Sequence, residues 1–189
     1  MEYRETVTLK DGRPCLLRNG TEDDGQALRD IFLVTHGETD FLLTYVDEYS
    51  FTAEDEAQYL KERTESSREI EMLAEVDGTV VGSAGINAVD AGKEKLRHRG
   101  EFGISVARAW WGLGIGRALT RACIACARRA SYRQLELDVV AENASAMALY
   151  LSEGFVEMGR NPRGFLTREG ELAGARPHAA RTRLVRPMH

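Results

Sequence analysis

Gly112, Gly114 and Gly116 stand at alternate positions in the stretch WWGLGIGRAL, just ahead of residues with a helical period. A glycine in ordered helix costs roughly 1 kcal/mol relative to alanine, so three at the mouth of one helix call for a reason. One reason is a tight backbone turn; the other is a ligand that comes close to the main chain. The first-turn N–H groups of a helix have no partners within it, and the helix dipole places about half a positive charge there. Amides left bare of side chains at that point suit a pyrophosphate, and Arg117 could add a full positive charge.

Two well-known phosphate loops do not fit. A P-loop needs Lys-Ser or Lys-Thr after its last glycine, and neither follows here. The dinucleotide fingerprint G-x-G-x-x-G/A fails from either start, ending on Arg117 or on Leu119. What remains is a glycine-rich helix start that binds a phosphate, or one that only lets the helix pack close to a sheet. Cys123 and Cys126 form a C-x-x-C within the same helix. With no second pair to complete a zinc site, they read as small apolar residues on its buried face.

The elements that would position these residues can be followed along the chain. Apolar runs flanking Asp11-Gly12 predict a hairpin, and Asp77-Gly78 predicts a second between EIEMLAEVD and TVVGSAGINAV. Thr21 and Thr52 are helix N-caps, the latter followed by an acidic first turn. EFGISVA and QLELDVV are strands, with a helix from about Gly114 to Ala130 between them. NASAMALYLSEG is a helix capped by Asn143 and stopped by Gly154, and FVEMGR is a strand. The order predicts an α/β mixture with an antiparallel start and alternating units later.

Composition bounds the rest. A chain of 189 residues suits one domain with a real core. Its net charge of −5 excludes a general polyanion binder. No apolar run reaches the length of a membrane span, and the N-terminus lacks the apolar core of a signal peptide. An odd count of three cysteines excludes full pairing. A cytoplasmic protein is expected, with no nucleic-acid or membrane partner.

EFGISVARAWWGLGIGRALTRACIACA resembles the coenzyme-A signature of the GNAT N-acetyltransferase superfamily, a strand and then R/Q-x-x-G-x-G/A opening a helix. Trp111 takes the R/Q place, and Gly114 and Gly116 take the glycines. LDVVAENASAMALYLSEGF is similar to the family's next signature: strand, Asn, helix with a tyrosine, then Gly-Phe. LRNGTEDDGQAL resembles its first strand and helix, and GRNPRGFLTREGEL the lead-in to its closing strand pair. The resemblance runs from about Thr6 to Glu171. It implies a single domain over 1–173 with a mixed, twisted sheet whose two central parallel strands splay apart. Residues 174–189 are left as a basic tail, either an atypical closing strand through RTRLV or a disordered end.

The resemblance also implies acetyl-CoA as co-substrate, with no metal. Its pantetheine arm would pair with backbone at Ile104, Ser105 and Val106. The pyrophosphate would meet Trp111, Gly112, Leu113, Gly114, Ile115, Gly116 and Arg117, with Asn143 near the arm and Tyr150 near the sulfur. Acetyl transfer to an amine needs a base, a donor for the carbonyl oxygen and a proton for the leaving thiolate. Tyr150 suits the last, because its reference pKa of about 10 lies above a thiol's, about 8.5. Glu101 is the base, directly or through water, or else a strand-end carboxylate; His98 is a second option. A backbone N–H at Ile104 or Ser105 would meet the oxygen.

The acceptor is a primary amine of a small molecule or a protein. The acidic, aromatic stretch THGETDFLLTYVDEYS suits a cationic amine by charge and by cation–π contact. A non-catalytic acyl-CoA-binding module is the rival reading, and a homodimer through the closing strand is left open.

Overall fold

A computed structural model of the chain describes residues 1–164, 168 and 181–188. Among the described residues, eight strands form one sheet in the order β1-β2-β3-β4-β5-β6-β8-β7. In chain order these are β1 Arg4–Thr8, β2 Pro14–Asn19, β3 Ile70–Val76, β4 Thr79–Ala88, β5 Arg99–Val106, β6 Gln134–Val140, β7 Val156–Asn161 and β8 Arg181–Pro187. The helices are α1 Gly25–Gly37, α2 Ala53–Glu65, α3 Ile115–Arg129 and α4 Ala144–Ser152. Every neighbouring pair is antiparallel except β5 and β6.

Local chemistry accounts for the elements. The β3–β4 hairpin turns at Asp77 (φ +51°) and Gly78 (φ +77°), two successive left-handed residues as a tight hairpin requires. The first hairpin has a longer loop than Asp11-Gly12 alone predicts, closed by Leu9 N–H to the Arg13 carbonyl at 2.8 Å. Thr52 and Asp55 form a reciprocal cap on α2, with Asp55 N–H donating to Thr52 Oγ1 at 3.2 Å and Thr52 N–H to Asp55 Oδ2 at 2.8 Å.

The two sheet faces carry separate cores. Met72, Ala84, Ile86 and Phe102 pack with Leu119, Cys123 and Ala127 of α3 on one face. Leu28, Ile31 and Leu60 of α1 and α2 pack on Leu73 on the other. Cys123 and Cys126 are fully buried free thiols within α3, and Cys15 is buried too. The stretch RTRLV lies inside β8, which runs between β6 and β7 from Arg181 to Pro187.

Candidate active site

Gly112 (φ +78°) and Gly114 (φ +101°) are left-handed, a conformation costing other residues roughly 1–2 kcal/mol. A Cβ on either would meet open space, so conformation and not crowding calls for them. Gly116 differs, since its φ is not left-handed and a Cβ there would meet the Leu149 side chain of α4 at 3.4 Å, the near edge of ordinary contact. Gly114 caps α3, and its carbonyl accepts the first intrahelical bond, from Ala118 N–H at 3.0 Å. The N–H groups of Ile115, Gly116 and Arg117 therefore find no carbonyl within the helix. They open on a cleft of 440 Å³.

The cleft runs into a fork in the sheet. β5 and β6 pair only at Arg99 with Gln134, Gly100 with Leu135 and Glu101 with Glu136. Beyond Glu101 β5 stays on β4 and β6 stays on β8, so the two strands diverge. The carbonyl of Arg99 accepts from Val89 N–H beside β4, whereas that of His98 accepts from Gln134 N–H on the β6 side. Successive strand residues turn their main-chain groups to opposite edges. Phe102, Ile104 and Val106 thus face the fork, and the main chain of Ser105 faces β4. The Val106 carbonyl already accepts the indole N–H of Trp111 at 2.6 Å.

Of the twelve expected cofactor residues, all but Leu113 line this cleft. Leu113 turns its carbonyl to Lys10 N–H at 3.1 Å. Tyr150 is 7% exposed, edge-on to Phe102 and tilted against Phe155. Burial pushes its phenol well above the usual range, so it stays protonated at neutral pH. Asn143 caps α4 by accepting from Ala146 N–H at 3.1 Å. Arg117 points to α4, pairing with Glu153 at 3.1 Å and donating to Ser152 Oγ at 3.2 Å, so its charge is shared with a carboxylate. Glu101 is exposed and lies where the strands are still joined. It and the exposed His98 are absent from the cleft's lining.

Residues 35–155 match the model of the acetyltransferase (GNAT) family. The chain belongs to this family. The chain is similar to the L-amino acid N-acetyltransferase AaaT of Escherichia coli, 31% identical over 106 residues, 56% of this chain and 64% of that protein. The matched parts span less than two thirds of the length of the curated relatives. Among solved structures, the GNAT-family acetyltransferase from Streptococcus pneumoniae superposes with a TM-score of 0.84 at 26% identity, over 92% of this chain and 99% of that one. yncA from Salmonella typhimurium, solved with its cofactor acetyl-CoA, shares the fold with a TM-score of 0.78 at 19% identity, over 92% and 93% of the two chains.

Of the charged residues lining this GNAT chain's cleft, Lys10 had no signal in the sequence. Lys10, from the β1–β2 loop, joins the lining beside the glycines. Only the fold shows that this hairpin reaches the mouth of α3, since Lys10 and Leu113 are far apart in the chain. Among the described residues no helix is long and apolar enough to cross a membrane, and no group of His, Cys, Asp and Glu has a metal-binding arrangement.

Proposed function

We propose that the protein is an acetyl-CoA-dependent N-acetyltransferase acting on a primary amine of a small molecule or a protein. One observation carries this reading. The bare amides of α3, the open edge of β5 and the buried Tyr150 meet in a single cleft. The family match supports the reaction, and the acetyl-CoA solved in yncA supports the donor.

In this reading the N–H groups of residues 112 and 114–117 hold the pyrophosphate, with Lys10 adding charge beside them. Ile104 and Val106 pair with the extended arm, and Trp111 leaves the Val106 carbonyl as the arm arrives. The amine nitrogen bonds to the thioester carbon as the carbon–sulfur bond breaks. Ile104 N–H steadies the carbonyl oxygen. Tyr150 gives its proton to the departing thiolate. Glu101, on the opposite sheet face from α3, takes the amine's proton through water.

The test is release of free thiol from acetyl-CoA against a panel of amines, with calorimetry for coenzyme A. Thiol release that depends on an amine is the expected result. Heat of binding with no turnover for any amine would leave a non-catalytic acyl-CoA module instead.

A further inference from the structure

A second cavity, of 610 Å³, lies under α1 and α2 on the sheet face opposite α3. At its floor is Glu71 of β3, 8% exposed, a carboxylate with no part in the chemistry above. Its Oε2 accepts from Tyr59 Oη at 3.2 Å. The side chain leans over Gly85 of β4, where a methyl group would overlap that same oxygen. Gly103 of β5 comes next in register, and a Cβ there would meet nothing within 4 Å. Two positions without side chains therefore leave a lane across the sheet, from Glu71 to the strand that borders the fork.

The two cavities come near one another two residues further along the same strands. Ser83, which lines the second cavity, is the register partner of Ser105, which lines the cofactor cleft. Phe32 and Thr35, one helical turn apart on α1, wall the one and the other. The second cavity is thus placed to present a molecule to the donor from the far side of the sheet.

We infer that Glu71 selects the acceptor: its carboxylate is the counter-ion for the ammonium of an amine that has an apolar or aromatic body and no carboxylate of its own. The inference rests on the cleft being the donor site. Phe32 stacks on Tyr49 at 3.9 Å, and Phe51 meets Tyr49 edge-on at 5.5 Å, forming a wall for a flat apolar body. Glu48 and Glu56 line the same cavity, and among the described residues no lysine or arginine does. Arg63, behind the Tyr59 ring, is paired with Glu69 at 2.5 Å. A free amino acid would bring its carboxylate among like charges, whereas the matching amine would bring only the cation.

A matched pair of probes tests this on the full chain: 2-phenylethylamine and phenylalanine, which differ by one carboxylate. Binding is read by calorimetry with and without coenzyme A, so turnover is not needed. The amine is expected to bind at least about tenfold tighter than the amino acid. Glu71→Gln is expected to weaken the amine by about tenfold and to leave coenzyme A affinity within about twofold. Equal affinity of the wild type for both probes, or for neither, overturns the inference. So does an unchanged amine affinity in Glu71→Gln. Failure of the donor-site reading shows separately, as coenzyme A giving no heat with wild type. The wild-type comparison decides the matter even where the variant does not fold.

Discussion

Glu71 and Gly85 face each other across β3 and β4, and the carboxylate of the first fills the space where a side chain of the second would stand. Gly85→Ala must therefore displace either the carboxylate or the strand. Overpacking of this kind costs about 1–3 kcal/mol. A lower denaturant midpoint, together with weaker amine binding, is expected. A variant as stable as wild type would show that Glu71 has another resting place.

Burial raises the Glu71 carboxyl to about 7, against hydrogen bonds from Ser83 and Tyr59 that lower it. Glu56 and Arg63 of α2 also act on it, and it acts in turn on Cys123 of α3. The folded chain thus keeps a proton that the unfolded chain releases near 4.5. Stability falls as pH rises between those two values and is level above the higher one. Glu71→Gln lacks this loss. Its melting temperature, relative to wild type, should climb from about pH 5 to about pH 7 and then hold. A gap that does not change with pH would contradict the burial of a titrating acid.

Tyr150→Phe keeps the ring contacts with Phe102 and Phe155 and removes only the hydroxyl. A fall in kcat of about 10²-fold or more is expected, with KM for acetyl-CoA within about twofold. Steady-state kinetics would show it, and an unchanged kcat would remove Tyr150 from the reaction.

Gly114→Asp tests the grip on the pyrophosphate. At φ +101° aspartate is strained by about 1–2 kcal/mol, less than the stability of a typical domain, so the fold should survive while a negative charge enters the mouth of α3. Coenzyme A affinity should drop by about two orders of magnitude. Undiminished binding by calorimetry would place the pyrophosphate elsewhere.

Lys10→Ala should raise KM for acetyl-CoA about threefold to fivefold, and less at high salt, because an exposed charge is screened. A KM that ignores both the substitution and the salt would leave Lys10 a bystander.

Much of this was legible because its causes are local. The turn at Asp77-Gly78, the caps at Thr52 and Asn143 and the left-handed glycines each follow from a few adjacent residues. The fork was reachable only through the family resemblance, since no local pattern states that two parallel strands part after three pairs. Arg117 shows the limit of reading charge from sequence. It sits at the expected helix mouth, yet Glu153, brought near by α4, takes its side chain. Glu71 reads as one acid in a strand of mixed character, and only register reveals the glycines opposite it. Likewise, Arg181–Pro187 is rich in arginine, which masks a strand held by ladders on both sides.

The short seam between β5 and β6 has one more consequence. Glu71 and its lane belong to the half of the sheet ending at β5, while Tyr150 follows β6 in the other half. The ladder that joins those halves is three residue pairs long, with side-chain packing such as Phe102 on Tyr150 beside it. Whatever wedges itself into the crotch becomes mortar between them, and on the proposed chemistry it would set how squarely the hydroxyl meets the sulfur and the amine meets the carbonyl carbon.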